Sequence, residues 1–245
     1  MSLRRTAATA WRVLRQLRRD PRTLALMMLV PLVLMALLRY MFNDDRTVFD
    51  RIAPELIGLF PFVLMFVVTS VAMLRERSSG TLERLLATPV AKLDILLGYA
   101  LAFAATALVQ VGLVLALVLG PLQVTVRGSL LLIVVFAVLD ALLGAGLGLC
   151  LSALARTEFQ AVQLMPALVF PQALLCGLFV PRSAMIPPLQ GLANALPLTY
   201  AVDGITRAAS STAFGTELLK DLLVVLLCWP LALLVGALTL RRRTP

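Results

Sequence analysis

The chain of 245 residues contains no histidine. That absence removes the commonest metal ligand, Ser–His and Cys–His nucleophile pairs, and histidine-based pH switching. Cysteine is scarce: Cys150, Cys176 and Cys228 all fall inside apolar runs, so no disulfide framework is expected. Charge is the third shortage. Charged residues make up 14% of the chain and the apolar set 60%, against about 25% and about 45–50% in a soluble globular domain. So few charges cannot cover a water-facing surface. No Gly-x-x-x-x-Gly-Lys-[Ser/Thr] loop is present, and none of the fourteen glycines precedes a lysine; a P-loop cradle for nucleotide phosphates is excluded.

What the chain has is long apolar runs. They fall at 24–42, 55–74, 95–119, 130–151, 162–180 and 222–240, each near the ~20 residues that cross a bilayer. In hydrocarbon each backbone must bond within its own segment, so the runs predict six transmembrane helices in an all-α integral membrane protein. The alternating ~10-residue segments of a membrane barrel are not found.

The net charge of +9 could suggest nucleic acid, but its placement argues against that partner. Basic residues crowd the N-terminal segment (Arg4, Arg5, Arg12, Arg15, Arg18, Arg19, Arg22), the connection between spans two and three (Arg75, Arg77, Arg84, Lys92), Arg156, and the tail (Arg241, Arg242, Arg243). The other side holds fewer: Arg46, Arg51, Arg127, Arg182, Arg207 and Lys220. The positive-inside rule then puts both termini in the cytoplasm. Residues 1–20 lack the apolar core of a signal peptide. With Leu3, Ala7, Ala10, Trp11, Leu14 and Leu17 at helical spacing, they read as an amphipathic helix in the membrane interface or as a simple basic anchor. Asp20-Pro21 breaks it from the first span.

Residues 75–94 form the most informative connection. Ser79, Gly80 and Thr81 are helix-start residues, and Glu83 suits the positive end of a helix dipole. Leu82, Leu85 and Leu86 share one face, and Pro89 ends the turn. A short cytoplasmic helix is expected, its leucines facing either a protein partner or lipid.

Glu76, Gly80-Thr81-Leu82-Glu83, Leu85-Leu86 and Thr88-Pro89-Val90 resemble the cytoplasmic segment of ABC-2-type transporter permeases, the membrane subunits of ATP-binding-cassette exporters. The resemblance runs along nearly the whole chain. It takes in the basic first helix, Arg19-Asp20-Pro21-Arg22, six spans, and the stretch Gly177–Gln190 with Leu196–Arg207. It implies a single transmembrane domain over 1–245 that is not itself an enzyme. A cytoplasmic ABC ATPase, two copies per complex, would carry ATP and Mg, and a second permease, identical or related, would complete the pathway. Glu76, Gly80, Thr81, Leu82, Glu83, Leu85, Leu86 and Pro89 would form the ATPase-coupling segment in a cell (inner or plasma) membrane protein that exports drugs or lipids. The stretch 181–207 would be re-entrant helices on the outer side.

That outer stretch also has its own logic. Pro181, Pro187, Pro188 and Pro197 cannot share one helix, and irregular backbone at membrane depth is tolerated only against protein or a cavity. A lid over the outer mouth, including Tyr200, is expected; a helix lying on the headgroups is the other reading. Within the spans, Thr69, Gln110, Asp140, Gln163 and Gln172 are candidate pathway residues or interhelical glue. Asp140 keeps a second class of function open: an ion-driven secondary transporter or channel. An intramembrane enzyme would need unusual Ser or Asp chemistry. Gly144 and Gly148 are spaced as a packing pair.

Overall fold

The computed structural model describes residues 2–81, 84–85, 91–155, 157–211 and 213–238. Leu82, Glu83, Leu86 and Pro89 therefore lie outside the described residues, as does the end of the sixth predicted span. All regular structure among the described residues is helical. The helices are α1 (Leu3–Arg19), α2 (Pro21–Met41), α3 (Arg46–Ser78), α4 (Lys92–Leu119), α5 (Leu130–Leu154), α6 (Glu158–Leu175), α7 (Pro187–Ala195), α8 (Pro197–Ser210) and α9 (Thr216–Leu238), with a 3-10 turn at Arg182–Ala184.

Local chemistry sets most boundaries. The Asp20 carboxylate accepts from the Thr23 amide at 3.2 Å, and Pro21 stands where no amide is needed, so α2 starts there. The Thr23 hydroxyl, donating to the other carboxylate oxygen at 2.7 Å, and that amide together hold the Asp20 carboxyl below its ordinary pKa. Asp45, Ser129 and Thr157 cap α3, α5 and α6 in the same way. Pro31, Pro54, Pro61, Pro166, Pro171 and Pro230 all sit inside helices that continue through them.

Among the described residues, five helices are long and apolar enough to cross a membrane: α2, α3, α4, α5 and α9. They fall on the runs expected at 24–42, 55–74, 95–119, 130–151 and 222–240, with α2 ending at Met41 and α9 described to Leu238, and α3 extends well past its run at both ends over 33 residues. The run at 162–180 differs. Its helix, α6, begins earlier, at Glu158, has 18 residues and ends at Leu175. Gly177 takes φ +110° just beyond, a left-handed conformation that glycine tolerates and that stops the helix before the apolar residues run out. Glu158, Gln160, Gln163 and Gln172 all fall within the 18 residues of α6.

α5 is the central post. Gly144 and Gly148 lie so close to α3 that an added Cβ would stand 2.3 Å from the carbonyl oxygens of Phe62 and Phe66. Gly146 does the same toward α9, where a Cβ would meet that of Ala232 at 2.9 Å. Small residues thus let three helices pack backbone to backbone, the dispersion-driven solution in lipid. Around this seam the core divides by depth. One cluster joins Val13, Ile95, Tyr99, Phe103 and Leu149 toward α1; another joins Phe49, Ile57, Phe136 and Ile205 toward α8. α2 is mostly exposed along its length, and its C-terminal end is tied down by Arg39, whose Nε donates to the Leu122 carbonyl at 3.4 Å.

Candidate functional site

At the end of α3 that leads into the 75–94 connection, α1 is fastened to the bundle by a charged pair. Arg12 Nη1 donates to Glu76 Oε1 at 3.0 Å and its Nη2 to the Tyr99 hydroxyl at 2.8 Å. Glu76 is 6% exposed and Tyr99 5%. Burial works against the Arg12 charge, but Tyr99 and Glu76 outweigh it and hold the guanidinium pKa above its ordinary value. Ala10, Val13, Leu14 and Leu17 pack inward on the same helix, while Leu3 and Trp11 stay exposed. The apolar face expected for an interfacial helix is therefore shared between protein and surroundings. Gly98 on α4 allows this approach, since a Cβ there would stand 2.5 Å from Thr9.

One turn beyond Glu76 the chain changes direction. Gly80 takes φ +69°, which suits a residue without a side chain. The Ser79 and Thr81 hydroxyls hydrogen-bond at 2.9 Å, and the Arg84 amide donates to Gly80 O at 3.2 Å as the next helical turn begins. Leu85 packs partly against the core cluster that holds Tyr99. Nearby, Arg75 makes a two-pronged pair with Glu158 at 2.7 and 2.9 Å, linking α3 to the start of α6. Those bonds hold the Glu158 carboxyl below its ordinary pKa. Of the expected coupling residues, then, Glu76 faces inward onto Arg12, and Gly80 and Thr81 form the turn.

The far end of the molecule holds the 181–207 stretch. Its prolines start structure: Pro181 precedes the 3-10 turn, Pro187 and Pro188 open α7, and Pro197 opens α8. α8 is buried along one side through Leu198, Ala201, Val202, Ile205 and Ala208, and Gly204 admits the Phe136 ring. Thr199 Oγ1 donates to Ala193 O and the Tyr200 hydroxyl to Asn194 O, both at 2.8 Å, which fixes the angle between α7 and α8. The last carbonyls of α8 accept from the α4–α5 loop: Arg127 and Gly128 amides bond Ala209 O at 3.0 Å, and the Ser129 amide bonds Ala208 O at 2.9 Å. Arg182 pairs with Asp203 and Arg207 with Asp221, and Arg207 also stands 4.0 Å from Asp203. Burial pushes the Asp203 carboxyl pKa up against the pull of both arginines.

The five candidate pathway residues do not form one channel within this subunit. Asp140 is wholly buried and neither carboxylate oxygen has a hydrogen-bond partner; Oδ2 lies 3.5 Å from where a Cβ on Gly58 would stand. Gln110 is equally buried with both amide atoms unpartnered. Gln172 donates to Leu168 O at 3.2 Å. Thr69 lines a narrow apolar cavity with Tyr99, Phe103 and Leu149. Gln163 faces outward on α6. The Arg12–Glu76–Tyr99 contact and the Arg182–Asp203–Arg207–Asp221 chain were not anticipated, because packing brings most of these partners together from distant positions.

The geometry is that of a helical bundle with a latched first helix, a glycine turn at the end of α3 and a two-helix hairpin at the opposite end. Residues 4–208 match the family described as ABC-2 type transporter, and the chain belongs to that family as a multi-pass membrane protein. Among its relatives is the "Probable multidrug ABC transporter permease YbhR" of Escherichia coli (strain K12), 32% identical over 62% of this chain and 41% of that protein. "ABC transporter G family member 20" of Dictyostelium discoideum is 30% identical over 65% of this chain and 22% of its own length. The "Inner membrane transport permease YhhJ" of Escherichia coli (strain K12) is 30% identical over 57% of this chain and 38% of its own. The matched region spans less than half the length of these curated relatives.

Proposed function

We propose that this chain is the membrane subunit of an ABC exporter that moves a hydrophobic or amphipathic substrate, a drug or a lipid, out of the cytoplasm or inner leaflet. In this reading α6 is the fifth of six spans, and both termini lie in the cytoplasm of a cell (inner or plasma) membrane. A second permease, identical or related, completes the substrate cavity. Two cytoplasmic ATPase subunits bind ATP and Mg and dock on the segment from Gly80 to Pro89. The observation that carries the reading is the family match over 4–208. The multidrug names of relatives support the substrate class. The geometry supports the coupling route: a push on the segment below Gly80 reaches α3 directly, and reaches α1 through Arg12 and Glu76. The 181–207 hairpin serves as the outer lid.

Inside-out vesicles holding the chain, its permease partner and its ATPase are expected to accumulate a fluorescent amphiphile only with ATP and Mg. Uptake that persists without nucleotide and collapses with the proton gradient would overturn this reading in favour of an ion-driven carrier centred on Asp140. The buried, unpartnered Asp140 carboxylate is what motivates that alternative. A separate expectation concerns docking. Glu83→Lys, or Leu82, Leu85 and Leu86 together replaced by Asp, should bring transport to background while the subunit still reaches the membrane. ATPase retention and uptake at the unaltered rate would remove the segment from the coupling role.

A further inference from the structure

Where the first turns of α3, the end of α6 and the middle of α8 meet beside the 3-10 turn, the chain forms an open cleft of about 320 Å³ whose walls include Arg51, Glu55, Arg182, Asp203 and Thr206. Two of these charges are spent on each other, since Arg182 is bonded to Asp203 and also reaches Asn194 at 3.0 Å. The other two are not. Glu55 Oε2 is buried and has no hydrogen-bond partner. Arg51, one turn before it on α3, acts on Glu55 through its charge without an ion pair forming between them. One wall thus carries an unpaired carboxylate and an unpaired guanidinium in the same space.

We propose that this cleft binds the zwitterionic headgroup of a phospholipid, its ammonium at Glu55 and its phosphate at Arg51. A guanidinium takes phosphate oxygens through parallel N–H bonds, and an ammonium supplies the donor that Glu55 lacks. A plain anion would meet the carboxylate unscreened, and a plain cation would meet the guanidinium; a ligand carrying both signs satisfies each wall. The volume sits at the low end of small-ligand pockets, about 300–1,000 Å³, which suits a headgroup better than a whole drug. Acyl chains have a surface beside it. Phe179 and Val180, which lead into Pro181 at the cleft, are 63% and 46% exposed, and Ile186 just past the 3-10 turn is 62% exposed. The inference uses the orientation given under Proposed function, which sets the cleft at the outer headgroup level, and it does not depend on ATP coupling.

The test uses the purified full chain in detergent, without ATPase or nucleotide, titrated with dihexanoyl phosphatidylethanolamine, dihexanoyl phosphatidylglycerol or free phosphoethanolamine and read by native mass spectrometry. The ethanolamine lipid should bind about tenfold tighter than the glycerol lipid, as loss of one charged hydrogen bond requires. Glu55→Gln should erase that preference, and Arg51→Gln should weaken both lipids about tenfold. Free phosphoethanolamine should bind weakest, because it lacks the apolar chains. Equal binding of the two lipids by the unaltered chain would overturn the proposal, even if a variant failed to fold. So would unchanged affinities in both variants, or phosphoethanolamine matching the lipid. A failure here leaves ATP-driven transport standing, and a failure of ATP-driven transport leaves this binding result standing.

Discussion

Gly144→Val and Gly148→Val are each expected to lower the melting temperature of the detergent-solubilised protein by about 6–12 °C. The reason is geometric. At both positions an added Cβ would come 2.3 Å from a backbone carbonyl of α3, at Phe62 or Phe66, and a backbone atom cannot swing aside as a side-chain tip can. α3 and α5 would have to separate along the seam that organises the bundle. Overpacking of this kind costs about 3 kcal/mol, and each kcal/mol is worth about 2–4 °C in a chain of this size. Gly112→Val is the control, since a Cβ there meets nothing within 4 Å. A Gly144 or Gly148 variant that melts with the control would show that the helices do not pack at this separation.

Breaking the latch on α1 should be the second large effect. Arg12→Ala leaves Glu76 almost wholly buried with no cation, and stranding one member of a buried pair typically costs about 3–5 kcal/mol. Arg12 is 29% exposed at its side chain, so water relieves part of this and the lower end of that range is expected. Removing both partners, Arg12→Met with Glu76→Gln, should restore much of the loss because no unpaired charge remains. The measurement is a double-mutant cycle on thermal stability, run beside ATP-driven uptake. If α1 also carries the push from the ATPase, the double variant regains stability but not uptake. Single variants as stable as the unaltered chain would mean that the Arg12–Glu76 contact holds nothing.

The spans were readable because hydrocarbon imposes one rule on every crossing segment, and five long apolar runs obeyed it. The 162–180 run misled because apolarity does not say where a helix stops. Leu178, Phe179 and Val180 continue the run, but Gly177 has already turned the backbone away from helix. At α1 the 3.6-residue pattern gave the helix and its apolar face. It could not say that Val13 and Leu14 would meet protein while Trp11 stayed outside. Pairings between distant residues were hidden for the same reason. Arg12 and Glu76 are 64 positions apart, and only the packing of α1 against α3 and α4 makes them neighbours. Gly144 and Gly148 were the exception, because i, i+4 glycines leave one legible outcome, a close helix contact. The pathway polar residues gave no comparable geometry: in one subunit Asp140 and Gln110 are sealed among helices, and Gln163 faces away.

The bonds from Arg127, Gly128 and Ser129 to the end of α8 bear on how freely the 181–207 hairpin can move. Gly128 is held so tightly that a Cβ would fall 1.8 Å from Ala208 O. Three such hydrogen bonds given up together would cost about 0.5–1.5 kcal/mol apiece. The hairpin is therefore not a free flap. In the proposed exporter the hairpin and the α4–α5 corner would move together, so cargo release would need α4 and α5 to lean with it instead of a hinge moving alone.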